Sequence, residues 1–228
     1  MGLASHIQSE GARKGWGKTG SDTCRSHPGG YGMTDYVVIG GGIVGSSATY
    51  RLARSGLSVT LVDRGDDGYA TAAGAGIISP GTSFRPPPPF YPLAAAAVAY
   101  YPHLLDHLAE DGEGDTGYDT PGAIFVASTE EEAARLPQLQ HRAEERLAQG
   151  VPGIGSVTAL SGKEAKELFP ALADVPAAFS VSGSSRVNGR LMQAALQRAA
   201  RKRGANVVHG RAELAVEGDT LTHVMVDG

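Results

Sequence analysis

The chain has 228 residues, 41% of them hydrophobic, and its 24 acidic and 20 basic side chains give a formal net charge of −4. That composition belongs to a globular protein with an ordinary core, and it excludes the strongly basic surface that nucleic acid or an anionic membrane would require. The single cysteine, Cys24, excludes an internal disulfide framework and is compatible with a reducing cytoplasm, the expected location.

Residues 1–33 are rich in Gly, Ser, Lys and Arg and lack apolar periodicity, which predicts a disordered extension. They contain no apolar run of the roughly 7 to 15 residues that a secretory signal needs. The ordered chain is expected to begin near Met33-Thr-Asp-Tyr36, with the upstream residues a linker or the product of a mis-assigned start.

Tyr36 to Ile39 is a short apolar run, read as a fully buried parallel strand, and glycines follow at once. Gly40, Gly42 and Gly45 give the G-x-G-x-x-G spacing: the first permits a tight turn, the second a close approach to a pyrophosphate, and the third close packing of helix on strand. A helix from about Ile43 to Ser55 would aim its free N–H groups and positive dipole end at phosphates, and Gly56 stands where a C′ glycine ends a helix. A second strand, Leu57 to Val62, leads to Asp63, close to the separation of roughly 20 residues expected for an acid that binds a ribose hydroxyl. Strand, turn, helix, strand and acid together define a nucleotide-binding βαβ unit. The carboxylate would repel a 2′-phosphate, which disfavours NADP, but the unit alone does not separate FAD from NAD.

The next stretch, Tyr69-Ala-Thr-Ala-Ala-Gly-Ala-Gly-Ile-Ile-Ser-Pro80, consists almost entirely of small residues. Composition alone leaves a flexible Ala/Gly linker open. Placed directly after a βαβ unit, however, it resembles the second FAD-contacting segment of the FAD-dependent amino acid oxidoreductase family, which includes glycine oxidase, sarcosine oxidase and D-amino acid dehydrogenase. An NAD-linked dehydrogenase or an FAD monooxygenase would share the βαβ unit but not this segment.

The resemblance continues along most of residues 34–228. Ser83 to Tyr91, with four consecutive prolines, reads as a stiff extended connector. Pro92 to Gly112 resembles the family's helix entering a substrate domain, and Gly117 to Ala127 its following strand. Its longest apolar stretch, Pro92 to Tyr101, is too short for a bilayer span of roughly 20 residues. Capping boxes are predicted at Thr129 with Glu132 and at Ser161 with Glu164; the latter opens a Leu160 to Leu172 segment similar to the family's Phe-Pro-x-Leu element. Arg186 to Met192 resembles the return to the cofactor domain, with Asn188 where the family more often has Asp. A helix from Arg190 to Arg203 ends in a basic run suited to a helix C-terminus, and Gly204 to His209 reads as a strand leading to an adenine contact near Glu213.

The resemblance implies an α/β fold: a Rossmann-like FAD-binding domain in two parts, 34–85 and 186–228, with an α+β substrate domain inserted at 86–185 and the whole incomplete at the C-terminus. It implies oxidation of the C–N bond of an amine or amino acid by hydride transfer to the flavin. For the cofactor it implies Gly40, Gly42, Ile43, Val44 and Gly45 at the pyrophosphate, Asp63 and Arg64 toward the adenosine, Ala70, Thr71, Ala75, Gly76 and Ile77 toward the flavin, and Glu213 at the adenine. No catalytic side chain and no metal site are expected. His103 and His107 have helical i, i+4 spacing, but Leu104 stands where a metalloprotease motif needs Glu, so they read as a solvated face. Ser182-Gly-Ser-Ser185 reads as a turn rather than a nucleophile motif. The family's length makes a truncated product the expectation, and a non-catalytic remnant with weak or no FAD binding is the alternative to an enzyme.

Overall fold

The computed structural model describes residues 34–83, 89 and 91–227; the extension at 1–33 and most of the proline connector lie outside the described residues. β1 (Tyr36–Ile39), α1 (Ile43–Arg54) and β2 (Val59–Asp63) follow one another in the βαβ order, and α2 (Ala70–Ala73) and β3 (Ile77–Ile78) occupy the small-residue stretch. Next come α3 (Tyr91–Glu110), β4 (Ala123–Ala127), α4 (Glu130–Ala148), β5 (Val157–Leu160), α5 (Gly162–Leu168) and β6 (Ala177–Val181). The chain then returns through β7 (Ser185–Arg186), α6 (Gly189–Lys202), β8 (Asn206–His209), β9 (Arg211–Glu217) and β10 (Thr220–Asp227).

A parallel sheet of order β1-β2-β8 brings strands from both ends of the described chain together. Tyr36 pairs with Val59 and Ile39 with Val62 on one side of β2, and Thr60 pairs with Asn206 and Asp63 with His209 on the other. Leu61 and Val62 are buried, as befits a central strand. β1 departs from expectation. Its run Tyr-Val-Val-Ile reads as buried, yet Tyr36, Val37 and Ile39 are 40–53% exposed. The reason is position: β1 is the first strand of the sheet order, and α1 and α6 pack on one face only. Tyr50 and Ala53 of α1 meet Met192, Leu196, Ala199 and Ala200 of α6 over Val59, and this cluster is the core of the nucleotide-type half.

α1 ends as predicted: Gly56, at φ +79°, donates its N–H to Ala53 O. α6 starts on Asn188, whose side-chain oxygen accepts from the N–H groups of Arg190 and Leu191. Such a cap is worth about 1 kcal/mol, and Asn supplies the same acceptor as Asp. An ionic cluster ties α3 to both helices. Asp111, just past α3, accepts from Tyr50 Oη at 2.7 Å and from Arg203 Nε at 2.8 Å, and Glu113 accepts from Arg198 at 2.7 Å and pairs with Lys202 at 2.8 Å.

Between the two ends of the parallel sheet the chain forms an antiparallel sheet of order β4-β6-β5. α4 covers one face, placing Leu136 and Ala143 against Ala127, Phe179 and Val181, and Phe125 stacks on Phe179 with centroids 4.8 Å apart. Burial of a side chain like Phe179 contributes about 1.5–3 kcal/mol. Ser161 and Glu164 form the full reciprocal capping box of α5. At α4 only half of the predicted box forms: Thr129 accepts from Glu132 N, but the Glu132 carboxylate reaches Ser128 N instead of the cap residue's own N–H. Ser182 and Gly183 lie in the turn between β6 and β7. His103 is exposed on α3, whereas His107 is half-buried with its Nδ1 enclosed, so the solvated-face expectation holds for the first and not the second. Among the described residues no helix is long and apolar enough to cross a membrane, and no three metal-ligating side chains come together.

Candidate cofactor site

The glycine turn is shaped by steric necessity. Gly40 has φ +101°, a region that side chains rarely tolerate, and its N–H is held by Val62 O at 2.8 Å. At Gly45 a β-carbon would lie 1.9 Å from Gly40 O, so only glycine lets α1 start this close to the strand. At Gly42 a β-carbon would meet Thr71 Oγ1 at 3.3 Å, filling the gap between the turn and α2.

Asp63 closes the turn from behind. Its Oδ1 accepts from Gly41 N at 2.9 Å and its Oδ2 from Gly65 N at 3.3 Å. Gly41, the middle glycine that the motif leaves unspecified, is therefore pinned: a β-carbon there would sit 2.9 Å from the Asp63 side chain. Its carbonyl accepts from Ser46 Oγ at 2.8 Å, Gln193 Nε2 at 2.6 Å and Gln197 Nε2 at 2.9 Å. No sequence motif announces either glutamine; their positions follow from the packing of α6 on α1.

Gly40, Gly42, Ile43, Val44 and Gly45 line one wall of a cleft of about 720 Å³, and Ala70, Thr71, Gly74, Gly76 and Ile77 line the other. Tyr101, Val187 and Gly189 also line it. The walls are held together by tight backbone approaches. Val187 N donates to Gly76 O at 2.9 Å, and β-carbons on Gly76 and Gly189 would collide with Val187 O and Thr71 O at 1.9 and 2.6 Å. The volume lies in the range of roughly 300–1,000 Å³ usual for ligand sites. Thr71, expected toward a flavin, sits at the start of α1, its hydroxyl accepting from Ile43 N at 2.9 Å. Ala75 lines a smaller, more polar cleft of about 430 Å³ with Asn188 and Arg190. Arg64 is exposed and paired with Asp66. Glu213 lies on the β9–β10 hairpin opposite Met225, outside both clefts, with Arg211 at 3.6 Å.

Chemically the cleft offers backbone amides, the positive end of a twelve-residue helix, and apolar walls from Val44 and Ile77, which are 80% and 75% exposed. Tyr101 is the one titratable side chain among the described residues lining it. Burial, then the neighbouring Tyr118, pushes its phenol up, so it stays neutral near pH 7. These features fit a dinucleotide cofactor: a glycine turn at a helix N-terminus, apolar side chains along the walls, and glycines that let the backbone segments around the cleft approach closely.

Fold and site define a Rossmann-type nucleotide-binding protein. Residues 35–227 match the FAD dependent oxidoreductase family (DAO), and the chain belongs to that family, whose cofactor is FAD. It is 44% identical over 195 residues to an uncharacterized oxidoreductase, YurR, of Bacillus subtilis, covering 86% of this chain and 51% of that protein. Glycine oxidase of Geobacillus kaustophilus is 31% identical, with 84% of this chain and 50% of the relative covered. Among solved structures, iminodiacetate oxidase from Chelativorans sp. BNC1 superposes with TM-score 0.74 at 37% identity, covering 80% of this chain and 48% of the other. The chain thus spans about half the length of the relatives it matches.

Proposed function

We propose that this chain forms the cofactor-binding part of an FAD-dependent oxidoreductase that oxidises the C–N bond of a small amine or amino acid. The observation that carries the reading is the cleft in which the glycine turn and the small-residue segment face each other across α1's N-terminus. Gly40, Gly42 and Gly45 admit the pyrophosphate and α1 offers it N–H donors. Asp63, whose carboxylate is engaged by the N–H groups of Gly41 and Gly65, and the exposed Arg64 are assigned to the adenosine side. Ala70, Thr71, Gly76 and Ile77 keep the flavin wall thin and dry, with Ala75 behind it, and Glu213 is assigned to the adenine edge. FAD bound there supplies the two-electron acceptor. The division into cofactor segments 34–85 and 186–228 around a substrate segment 86–185 belongs to the same proposal.

The proposed substrate class is supported by the similarity to glycine oxidase and iminodiacetate oxidase. Glycine and iminodiacetate share an amine nitrogen on a CH₂ that carries a carboxylate, and we assign this chain to that glycine type, the group to which sarcosine and D-amino acids are chemically closest. The cleft presents no side-chain base of its own. The protein's contribution is positioning and exclusion of water. A second reading is a non-catalytic chain that holds FAD weakly or not at all. Incubation with FAD followed by desalting, then assay with glycine, sarcosine and iminodiacetate, separates the two: retained flavin that is bleached by one of these amines supports the enzyme, and a colourless chain supports the second reading.

A further inference from the structure

The Gly41 carbonyl accepts from three side-chain donors, Ser46 Oγ, Gln193 Nε2 and Gln197 Nε2, at 2.8, 2.6 and 2.9 Å. The two glutamines stand one turn apart on α6, and Gln197 also donates to Ser46 Oγ at 3.0 Å, so the donors form one connected set. None of the three donors is among the residues that line the cleft, whereas Gly42 is. The peptide joining Gly41 to Gly42 is trans. In a planar trans peptide the C=O and N–H point in opposite directions. A carbonyl drawn into α6 therefore turns the Gly42 N–H toward the cleft.

From this geometry we infer that Gln193 and Gln197 are positioning residues for the cofactor turn: by holding the Gly41 carbonyl they aim the Gly42 N–H at the ligand's pyrophosphate. The inference rests on the proposal that this turn receives FAD. Glycines flank the peptide on both sides, so its orientation has little steric restraint of its own. Rotated the other way, it would present the partial negative charge of a carbonyl to the phosphates. The preceding peptide is held independently, because Gly41 N donates to Asp63 Oδ1. Only the Gly41–Gly42 plane depends on α6. Ser46 alone would leave the carbonyl one donor from α1, and the glutamines, about 150 residues downstream, make the turn's polarity depend on α6 docking.

The test is titration of the purified chain and of Gln193→Met/Gln197→Met with ADP and with adenosine, followed calorimetrically, with circular dichroism to establish folding. Methionine keeps the length and removes the donor. The expected result is an ADP affinity weakened by about ten- to a hundredfold, the worth of a hydrogen bond to a charged group, with adenosine binding unchanged because adenosine has no phosphate. A general packing defect would weaken both ligands equally, and that result, or undiminished ADP binding, overturns the inference while leaving the FAD proposal standing. Wild-type chain that binds no ADP overturns both. If the double variant does not fold, each single variant is read by the same ADP-to-adenosine ratio, with the same result expected and the same result overturning the inference.

Discussion

The hydroxyl of Thr71 accepts a hydrogen bond from the backbone N–H of Ile43 across 2.9 Å, so the small-residue segment is fastened to the first turn of the nucleotide helix. α1 has no side-chain cap of its own, since Gly42 occupies the N-cap position. Thr71 supplies the acceptor from 28 residues away. Replacement Thr71→Val, which keeps shape and removes the acceptor, is expected to cost about 1 kcal/mol, as loss of a helix cap does. Thr71→Ser should restore most of it. Urea denaturation of the two variants checks the difference.

Two glycines on the βαβ unit should respond very differently to alanine. At Gly45 the new methyl would overlap Gly40 O, and both partners are backbone, so neither can yield cheaply. A loss of about 3 kcal/mol or more is expected, at the upper end of overpacking costs. At Gly56 nothing lies within 4 Å and the cost comes only from φ +79°, about 1–2 kcal/mol. Equal midpoints for Gly45→Ala and Gly56→Ala would contradict this steric account.

The ionic cluster at the end of α3 sets the pH response of stability. Burial acts to raise Asp111, but hydrogen bonds from Arg203 and Tyr50 and the charges of Arg203 and Arg54 outweigh it and hold the carboxyl below its ordinary range. Glu113 is lowered in the same way, burial being outweighed by Lys202 and Arg198. Groups depressed in the folded state contribute stability that is complete above the unfolded pKa and lost as pH falls through the folded value. Stability should therefore decline below about pH 4, the unfolded carboxylate range. Tyr50 works at the other extreme: burial, then the hydrogen bond to Asp111 and its charge, push the phenol from 10.0 up to about 12. Its contribution is complete below pH 10 and is lost as pH rises toward 12. Asp111→Asn should cost about 2–3 kcal/mol at neutral pH and flatten the alkaline decline. Thermal midpoints from acid to alkaline pH, compared between the two proteins, test both arms.

Much of the fold is legible in local pattern. β1, α1 and β2 follow from apolar runs and glycine spacing, the α5 box from Ser161 and Glu164, and the end of α1 from Gly56, because each depends on contacts within a few residues. What the sequence withholds is non-local. The exposure of Tyr36, Val37 and Ile39 depends on what covers the sheet, and an apolar run reads the same on a covered strand or an edge strand. Thr71's place at the helix start, the two-residue pairing of β3 with β7, and the grip of Gln193 and Gln197 on Gly41 join residues far apart in the chain and arise only in the tertiary fold. Of the expected cofactor residues, the turn and most of the small-residue segment meet in one cleft because the βαβ geometry brings them there. Asp63, Arg64 and Glu213 stand apart from it, because a resemblance gives a position along the chain and not the direction of a side chain.

The central claim is that the cleft between the glycine turn and the small-residue segment holds FAD. Its most direct measurement is equilibrium titration of the chain with FAD and with NAD, repeated on Gly42→Val, whose side chain would fill the gap beside Thr71. The account predicts one FAD bound per chain, no comparable binding of NAD, and loss of FAD binding in a variant that keeps its circular dichroism. Preference for NAD, or FAD binding that survives Gly42→Val undiminished, would contradict it.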